Sequence, residues 1–284
     1  MKILVCIKQT PDSTVRVKVA PDGRSIDPAG VTWAISAYDE YAVELALEHK
    51  DRDKESTVTV VSLGPTRARD SLRQALAMGA DDAILVTGSS AETLAPLAIA
   101  RALAKVVEGA TPDLVLCGRQ ASDDDQGFVG SALAEVLGWP HVATVTRFVA
   151  ADGGVDVWKE IEGGHEVWRA SGPAVLTVQK SEKEPRYPSL PGIMKAKKKE
   201  IPEKDPATLG IDPFKSVRSR ELGKKIFEAI ESLTPDHRAV ILLREIDGLS
   251  YEEISEVLDC SLGTVMSRLH YARKKLQSRL QEML

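Results

Sequence analysis

From Lys2 to Leu137 the chain repeats one pattern, a short apolar run followed by a longer amphipathic stretch and a breaker. The runs Lys2 to Lys8, Ser56 to Ser62, Ala83 to Thr87 and Asp113 to Cys117 carry the signal of buried strands. Between and after them, Tyr38 to His49, Arg67 to Met78, Ala91 to Val107 and Gly127 to Leu137 place apolar residues at helical spacing, and each ends near a glycine or another breaker. Strand, helix and strand in alternation predict an α/β fold, a doubly wound, mostly parallel sheet covered on both faces. After Trp139-Pro140 the rhythm changes. Turns at Asp152-Gly153-Gly154 and Glu162-Gly163-Gly164 and a strand at Ala174 to Gln179 predict a β-hairpin extension of the core.

After Ile211-Asp212-Pro213 the pattern becomes helical, which predicts two domains, 1–213 and 214–284, the second a small all-α helix-turn-helix. Glu221 to Ser232 reads as its first helix. Thr234-Pro235 supplies an N-cap and a first-turn proline for a second helix through Glu245. Ser250-Tyr251-Glu252-Glu253 is a capping box for a third through Leu258, and after Asp259-Cys260 a last helix runs from Ser261 or Leu262 to about Gln281. Two helices joined by so short a turn form a helix-turn-helix. On the last helix Leu262, Val265, Leu269, Ala272, Leu276 and Leu280 form a packing stripe. Met266, Ser267, His270, Tyr271 and Lys274 lie opposite it or at its edge, flanked by Arg268 and Arg273.

The 284 residues, 43% hydrophobic and 28% charged, suffice for two packed cores. A net charge of −5 gives no global attraction to nucleic acid, so any DNA binding has to be local. The stretch Met266 to Leu284 supplies a local site: Arg268, Arg273, Lys274, Lys275 and Arg279 against Glu282 give +5 − 1 = +4. No apolar run reaches the roughly 18 residues of a membrane span, and the first residues read as a strand rather than a signal peptide. Cys6, Cys117 and Cys260 are far apart in sequence, odd in number and without metal-ligand spacing, so reduced thiols in a cytoplasmic protein are expected. His141 and His165 fall in predicted strands and are expected to be structural; no catalytic acid, base or nucleophile set stands out.

Open parallel sheets bind ligands at the carboxyl ends of their strands. Three loops fit: the one after Cys6, Leu63-Gly64-Pro65, and Gly118-Arg119-Gln120-Ala121-Ser122-Asp123-Asp124-Asp125-Gln126-Gly127. In the third, glycine permits close backbone approach, and unpaired N–H groups at the start of the next helix suit a phosphate. Three successive aspartates read equally as an acidic, solvated loop capping that helix. Further on, Leu190 sits between Pro188 and Pro191, which stiffen the backbone and project it outward, and Lys195 to Lys199 follow as a basic run. Such a segment is either a linker with a solvated charge cluster or a docking point that steers acidic partners.

Leu76-Ala77-Met78-Gly79-Ala80-Asp81, the Gly118 to Asp125 loop and Glu184-Pro185-Arg186-Tyr187-Pro188-Ser189-Leu190-Pro191-Gly192-Ile193-Met194-Lys195-Ala196-Lys197-Lys198-Lys199 together resemble an electron transfer flavoprotein β subunit over about residues 1–213. The resemblance implies an adenine-nucleotide-binding fold and a heterodimer with an α subunit. In that pair one FAD, held mainly by α, relays electrons from acyl-CoA or other dehydrogenases to a quinone-linked acceptor, and β buries an AMP. Carried onto this sequence, the AMP contacts fall on Cys6, on Ser36, Ala37, Tyr38 and Asp39, on Leu63, and on Gly118, Arg119, Gln120, Ala121, Ser122, Asp123, Asp124, Asp125, Gln126, Gly127, Phe128 and Val129, with Tyr38 also near the flavin. A branch of the family places a second FAD in this pocket; the triple aspartate looks more like the AMP branch. Leu190 matches the leucine that anchors partner dehydrogenases, with Lys195, Lys197 and Lys198 beside it.

Leu233-Thr234-Pro235-Asp236-His237-Arg238-Ala239-Val240, Gly248-Leu249-Ser250-Tyr251-Glu252-Glu253-Ile254 and Gly263-Thr264-Val265-Met266-Ser267-Arg268-Leu269-His270 resemble region 4 of extracytoplasmic-function sigma factors, over residues 217–284. That resemblance implies reading of the promoter −35 element in the major groove and contact with the RNA polymerase β flap. Gly263 and Thr264 would open the recognition helix, Met266, Ser267, His270 and Tyr271 would face base edges, and Arg268, Arg273 and Lys274 would reach phosphates. No sigma region 2 sequence precedes residue 217, so action as a sigma factor by itself is not expected, and the α-clasping arm of β subunits is replaced past residue 213. Three readings stand: an electron-transfer subunit with an appended DNA-binding module, a transcription regulator using the nucleotide domain as sensor or scaffold, and a chimeric joining of two uncoupled modules.

Overall fold

In the computed structural model of the chain, the described residues are 1–21, 23, 26–88, 94–181, 183–206, 226, 228–246 and 248–283. The chain divides into two compact units, Met1–Pro213 and Phe214–Leu284. The boundary expected between residues 213 and 214 lies outside the described residues.

The first unit is built on β1 (Lys2–Cys6), β4 (Thr57–Leu63), β5 (Asp82–Val86), β6 (Leu114–Gly118), β7 (His141–Ala151), β8 (Gly154–Ile161), β9 (Gly164–Ser171), β10 (Ala174–Val178) and β11 (Glu203–Lys204), in the spatial order β11-β5-β4-β1-β6-β10-β7-β8-β9. The strands from β11 to β7 pair in parallel, and β8 and β9 continue antiparallel. A separate ribbon pairs β2 (Gln9–Pro11) with β3 (Trp33–Ile35). The alternation along β1 explains its unbroken apolar run. Ile3, Val5 and Ile7 pack on one face with residues of α1 (Ala37–Arg52) and α2 (Arg69–Met78), while Leu4 and Cys6 pack on the other with α3 (Pro96–Ala110) and α4 (Val129–Leu137). A strand covered by helices on both sides has no water-facing positions to fill with polar residues.

Two departures from expectation in this unit bear on the candidate sites. The helix predicted from Ala91 starts at Pro96, whose fixed φ suits a first turn, and residues 91–93 lie outside the described residues. The Leu190 segment is no projecting loop: Leu190 opens α5 (Leu190–Lys198), with Ser189 Oγ accepting the Gly192 N–H at 3.1 Å. The basic run therefore lies largely on a helix. Gly192 lets that helix approach α2, since a Cβ there would strike the Ala77 carbonyl. Arg73 of α2 donates to the carbonyls of Ala196 (2.7 Å) and Lys197 (3.0 Å), satisfying the end of α5 with a cation.

The second unit contains α6 (Pro235–Ile241), a π turn at Leu242–Ile246, α7 (Tyr251–Val257) and α8 (Leu262–Met283). Of the helix expected from Glu221, residues 226 and 228–231 are helical, and 221–225 and 227 lie outside the described residues. The α6 helix was expected to continue to Glu245; instead its last turn widens, and the Leu249 N–H reaches back to the Leu243 carbonyl at 3.0 Å after Gly248. Thr234 stands at the N-cap, but its hydroxyl pairs with His237 Nδ1 at 2.7 Å and caps no backbone N–H. The Ser250 capping box is complete, with Glu253 N–H to Ser250 Oγ and Ser250 N–H to Glu253 Oε2 both made. Ser250→Ala is expected to lower the stability of this unit by about 1 kcal/mol, read as a shift in its thermal transition.

Candidate functional site

The carboxyl ends of β1, β4 and β6 meet around a cavity of about 130 Å³. Its position follows from strand order: β4 and β6 flank β1 on opposite sides, so the chain reverses direction across the sheet there and the loops part. Ten of the residues named from sequence line it, namely Cys6, Asp39, Leu63, Gly118, Arg119, Gln120, Ala121, Asp124, Gln126 and Val129. Pro96, Ile99 and Leu103 of α3 give it an apolar wall that sequence inspection did not assign. The other named residues take different places. Ser36 is buried with its hydroxyl unpartnered, Tyr38 is half-buried, and Ala37, Ser122, Asp125, Gly127 and Phe128 are exposed; none of these lines the cavity.

A second cavity of about 510 Å³ adjoins it, with Lys8, Leu63 and Asp124 lining both. Its walls include Gln9, Trp33, Arg67 and Asp123, and the Arg67 guanidinium lies over the Trp33 ring at 4.0 Å. Lys8 is the residue at this junction that sequence reading missed, although it lies in the first of the three expected loops. Its ammonium donates to Asp123 at 2.7 Å and Asp124 at 2.9 Å. Burial pulls the Lys8 pKa down, but the two carboxylates outweigh it and hold the ammonium above its ordinary range. Two of the three loop aspartates thus face a cation, which reduces their repulsion of any anion bound beside them. The third, Asp125, takes a positive φ of 51° and accepts from Gln120 at 3.0 Å, so it turns the loop.

Beneath Lys8 lies Asp39. Its carboxylate accepts the backbone N–H groups of Lys8 and Gly118, both at 2.8 Å, and ties the ends of β1 and β6 to the start of α1. Burial raises its pKa to about 7 against the pull of those two N–H donors. Residue 118 has to be glycine here, because a Cβ would collide with the Asp39 carboxylate. Cys6 and Cys117, distant in sequence, are register partners on β1 and β6, and both thiols are free.

Leu190 lies at the first turn of α5 and is 79% exposed, with Tyr187 and Met194 also exposed nearby. Lys195, Lys197 and Lys198 occupy the last turn of that helix. In the second unit Val265, Leu269 and Ala272 are buried against α6 and α7, whereas Leu262, expected in the same stripe, is exposed because it stands at the helix start beyond the packed neighbours. The side chain of Leu280 lies outside the described residues. Gly263, Met266, Ser267, His270, Tyr271 and Lys274 are exposed at helical spacing along α8, with Thr264 half-buried at its start. His270 and Tyr271 meet edge to face at 5.5 Å. Arg268 and Arg273 are both engaged, Arg268 with Asp236 and Arg273 with Glu245, each at 2.7 Å. Among the described residues no group of three or more metal-ligating side chains is placed to hold an ion, and no helix is long and apolar enough to cross a membrane. His141 at the start of β7 and His165 in β9 are both exposed in strands, and neither lines either cavity.

Comparison with known proteins gives each unit a counterpart. Residues 24–209 match the model of the electron transfer flavoprotein domain, and residues 224–276 match that of Sigma-70, region 4. The chain is 42% identical over 212 residues to the electron transfer flavoprotein subunit beta of Bradyrhizobium diazoefficiens, covering 75% of this chain and 84% of that protein. It is 40% identical over 214 residues to the human subunit beta, with the same coverage, and 36% identical over 251 residues to the mitochondrial subunit beta of Oryza sativa subsp. indica, covering 88% of this chain and 96% of that one.

Proposed function

We propose, from the premise that this chain belongs to the electron transfer flavoprotein β family and carries a Sigma-70 region 4 module, that its paired cavities hold AMP and that it works with an FAD-carrying α subunit. β subunits of this family are electron carriers rather than catalysts, and region 4 is a DNA-binding module. The observation that carries the nucleotide reading is the cavity at the carboxyl ends of β1, β4 and β6, apolar on the α3 side and bordered by the Lys8 ammonium and Arg119. The smaller cavity is below the roughly 300–1,000 Å³ of most ligand sites, while the larger adjoining one falls within that range. Ile99 and Leu103 suit a flat purine, and Lys8 suits a phosphate that competes with Asp123 and Asp124 for it. Gln120, Gln126 and the Gly118 backbone supply further polar contacts. The same pocket chemistry accepts the adenylate portion of FAD. The flavin on the α partner would supply the redox chemistry, and this chain's residues would hold the adenylate and the partner.

AMP titrated into the purified protein is expected to bind, and Lys8→Ala is expected to weaken it about 10- to 100-fold, the loss of one charge-assisted hydrogen bond. Equal affinity for both proteins rules Lys8 out of the site. Co-expression with an α subunit is expected to yield a flavin-containing complex; colourless, unassociated chains would sink the assembly reading. The exposed Leu190 beside Lys195, Lys197 and Lys198 suits docking of an acyl-CoA or other dehydrogenase.

For the second unit the supporting observation is the exposed row Gly263, Met266, Ser267, His270, Tyr271 and Lys274 on α8. We assign it to promoter −35 DNA, with the RNA polymerase β flap as the protein partner. Lys274→Ala is expected to weaken DNA binding for all sequences and to reduce the slope of log affinity against log salt by about one. Arg268→Ala and Arg273→Ala are expected to weaken it less, since Asp236 and Glu245 already engage them. Binding that ignores salt would refute phosphate contact.

A further inference from the structure

Cys6 ends β1 and Cys117 stands one residue before the end of β6, and the parallel register makes them direct partners. Neighbouring strands lie about 4.7–4.9 Å apart, inside the roughly 4.4–6.8 Å that disulfides span between Cα atoms. Both side chains belong to the same sheet face, the one packed under α3 and α4, and both line the smaller cavity. No disulfide links them in this structure. Two thiols that share a face, a register and an opening to a cavity can become one bond without moving the backbone of either strand far.

We propose that Cys6 and Cys117 form an oxidisable dithiol in the floor of the cavity, converted to an intramolecular disulfide by a small peroxide that enters through the ligand opening. One sulfur attacks hydrogen peroxide, breaking the O–O bond to give a sulfenic acid and releasing water. The second sulfur attacks the sulfenic sulfur, the S–S bond forms as the S–O bond breaks, and a second water leaves. The two thiols lose two protons and two electrons, and the peroxide gains them. Cys260 belongs to the other unit and is not a strand-register partner of either thiol.

The pair responds slowly at neutral pH. The Cys117 thiol and burial push the Cys6 thiol well above its ordinary range, so little thiolate is present to begin the attack. Oxidation also gives the cavity a rigid bridge in place of two separate thiols. A bound adenylate would cover both sulfurs; that coupling rests on the nucleotide reading above, whereas the dithiol itself does not.

The test uses the full chain carrying Cys260→Ser, exposed to hydrogen peroxide and then unfolded, alkylated and digested. The expected result is loss of two alkylatable thiols, a mass lower by about 2 Da, and a Cys6–Cys117 cross-linked peptide in monomeric protein. Two thiols still fully alkylatable after prolonged exposure, when the same protein unfolded in denaturant does form the bond, would overturn the proposal. So would separate oxidation of each cysteine to sulfinic acid without a cross-link. Repeating the exposure with saturating AMP is expected to slow the bond several-fold. A bond that forms equally fast with AMP present supports the dithiol and counts against adenylate in this cavity.

Discussion

Arg186→Ala is expected to destabilise the first unit by about 3 kcal/mol, the low end of the loss for a stranded buried charge, because Glu44 is buried while its arginine partner is partly exposed. Glu44 is 3% exposed on α1, and Arg186 satisfies both its oxygens, with Nε to Oε2 and Nη2 to Oε1 each at 2.8 Å and the backbone N–H to Oε2 at 3.0 Å. The second contact of the guanidinium, to exposed Asp51 at 2.9 Å, adds little. Removing the guanidinium leaves a carboxylate inside the core with one backbone donor. Arg186 also fastens the segment that leads into α5, so the same change is expected to loosen the helix that carries Leu190. Urea denaturation monitored by circular dichroism measures the stability, and hydrogen exchange of the α5 amides measures the loosening. The double change Glu44→Gln with Arg186→Met is expected to recover much of the loss, because it removes the stranded charge. If the double variant is as unstable as the single one, packing rather than charge explains the effect.

Asp39→Asn is expected to change how stability depends on pH. The folded carboxyl titrates near 7, and an unfolded aspartate near 3.9. Between those values the folded state holds a proton that the unfolded state has released, so this group's contribution falls as pH rises through the window and levels off above about 7. The gap between about 7 and about 3.9 corresponds to roughly 4 kcal/mol at about 1.36 kcal/mol per pH unit. Asparagine removes the titration but loses one accepted hydrogen bond, since its amide nitrogen cannot accept the N–H of Lys8 or Gly118. The variant is therefore expected to be less stable than the wild type near pH 4.5 and to gain on it by several kcal/mol by pH 7.5. Denaturant midpoints for both proteins across that range test this, and a constant difference would show that Asp39 does not titrate in the window.

The unequal legibility of the chain has a physical basis. Local signals served well: the two-sided burial of β1 is written in its apolar run, and the Ser250 capping box lies within four residues. The π turn after Ile241 and the α5 start at Leu190 were missed, because each depends on a tertiary or capping contact that competes with the linear pattern. The cavity's loops were identified from strand ends, but its α3 wall and Lys8 were not, because nothing in a linear sequence pairs Lys8 with Asp123 and Asp124, 115 and 116 residues away. The Cys6 and Cys117 partnership likewise depends on strand register. Loop residues such as Phe128 and Ala37, named by resemblance, are exposed and do not line the cavity.

The most direct test of the nucleotide assignment is the adenine-nucleotide content of the purified 284-residue chain. Acid denaturation followed by chromatography and mass spectrometry is expected to release about one adenylate per chain, as AMP, and fewer from Lys8→Ala. Protein that releases no adenine nucleotide and takes up none from millimolar AMP would contradict the assignment of the cavity formed by β1, β4 and β6.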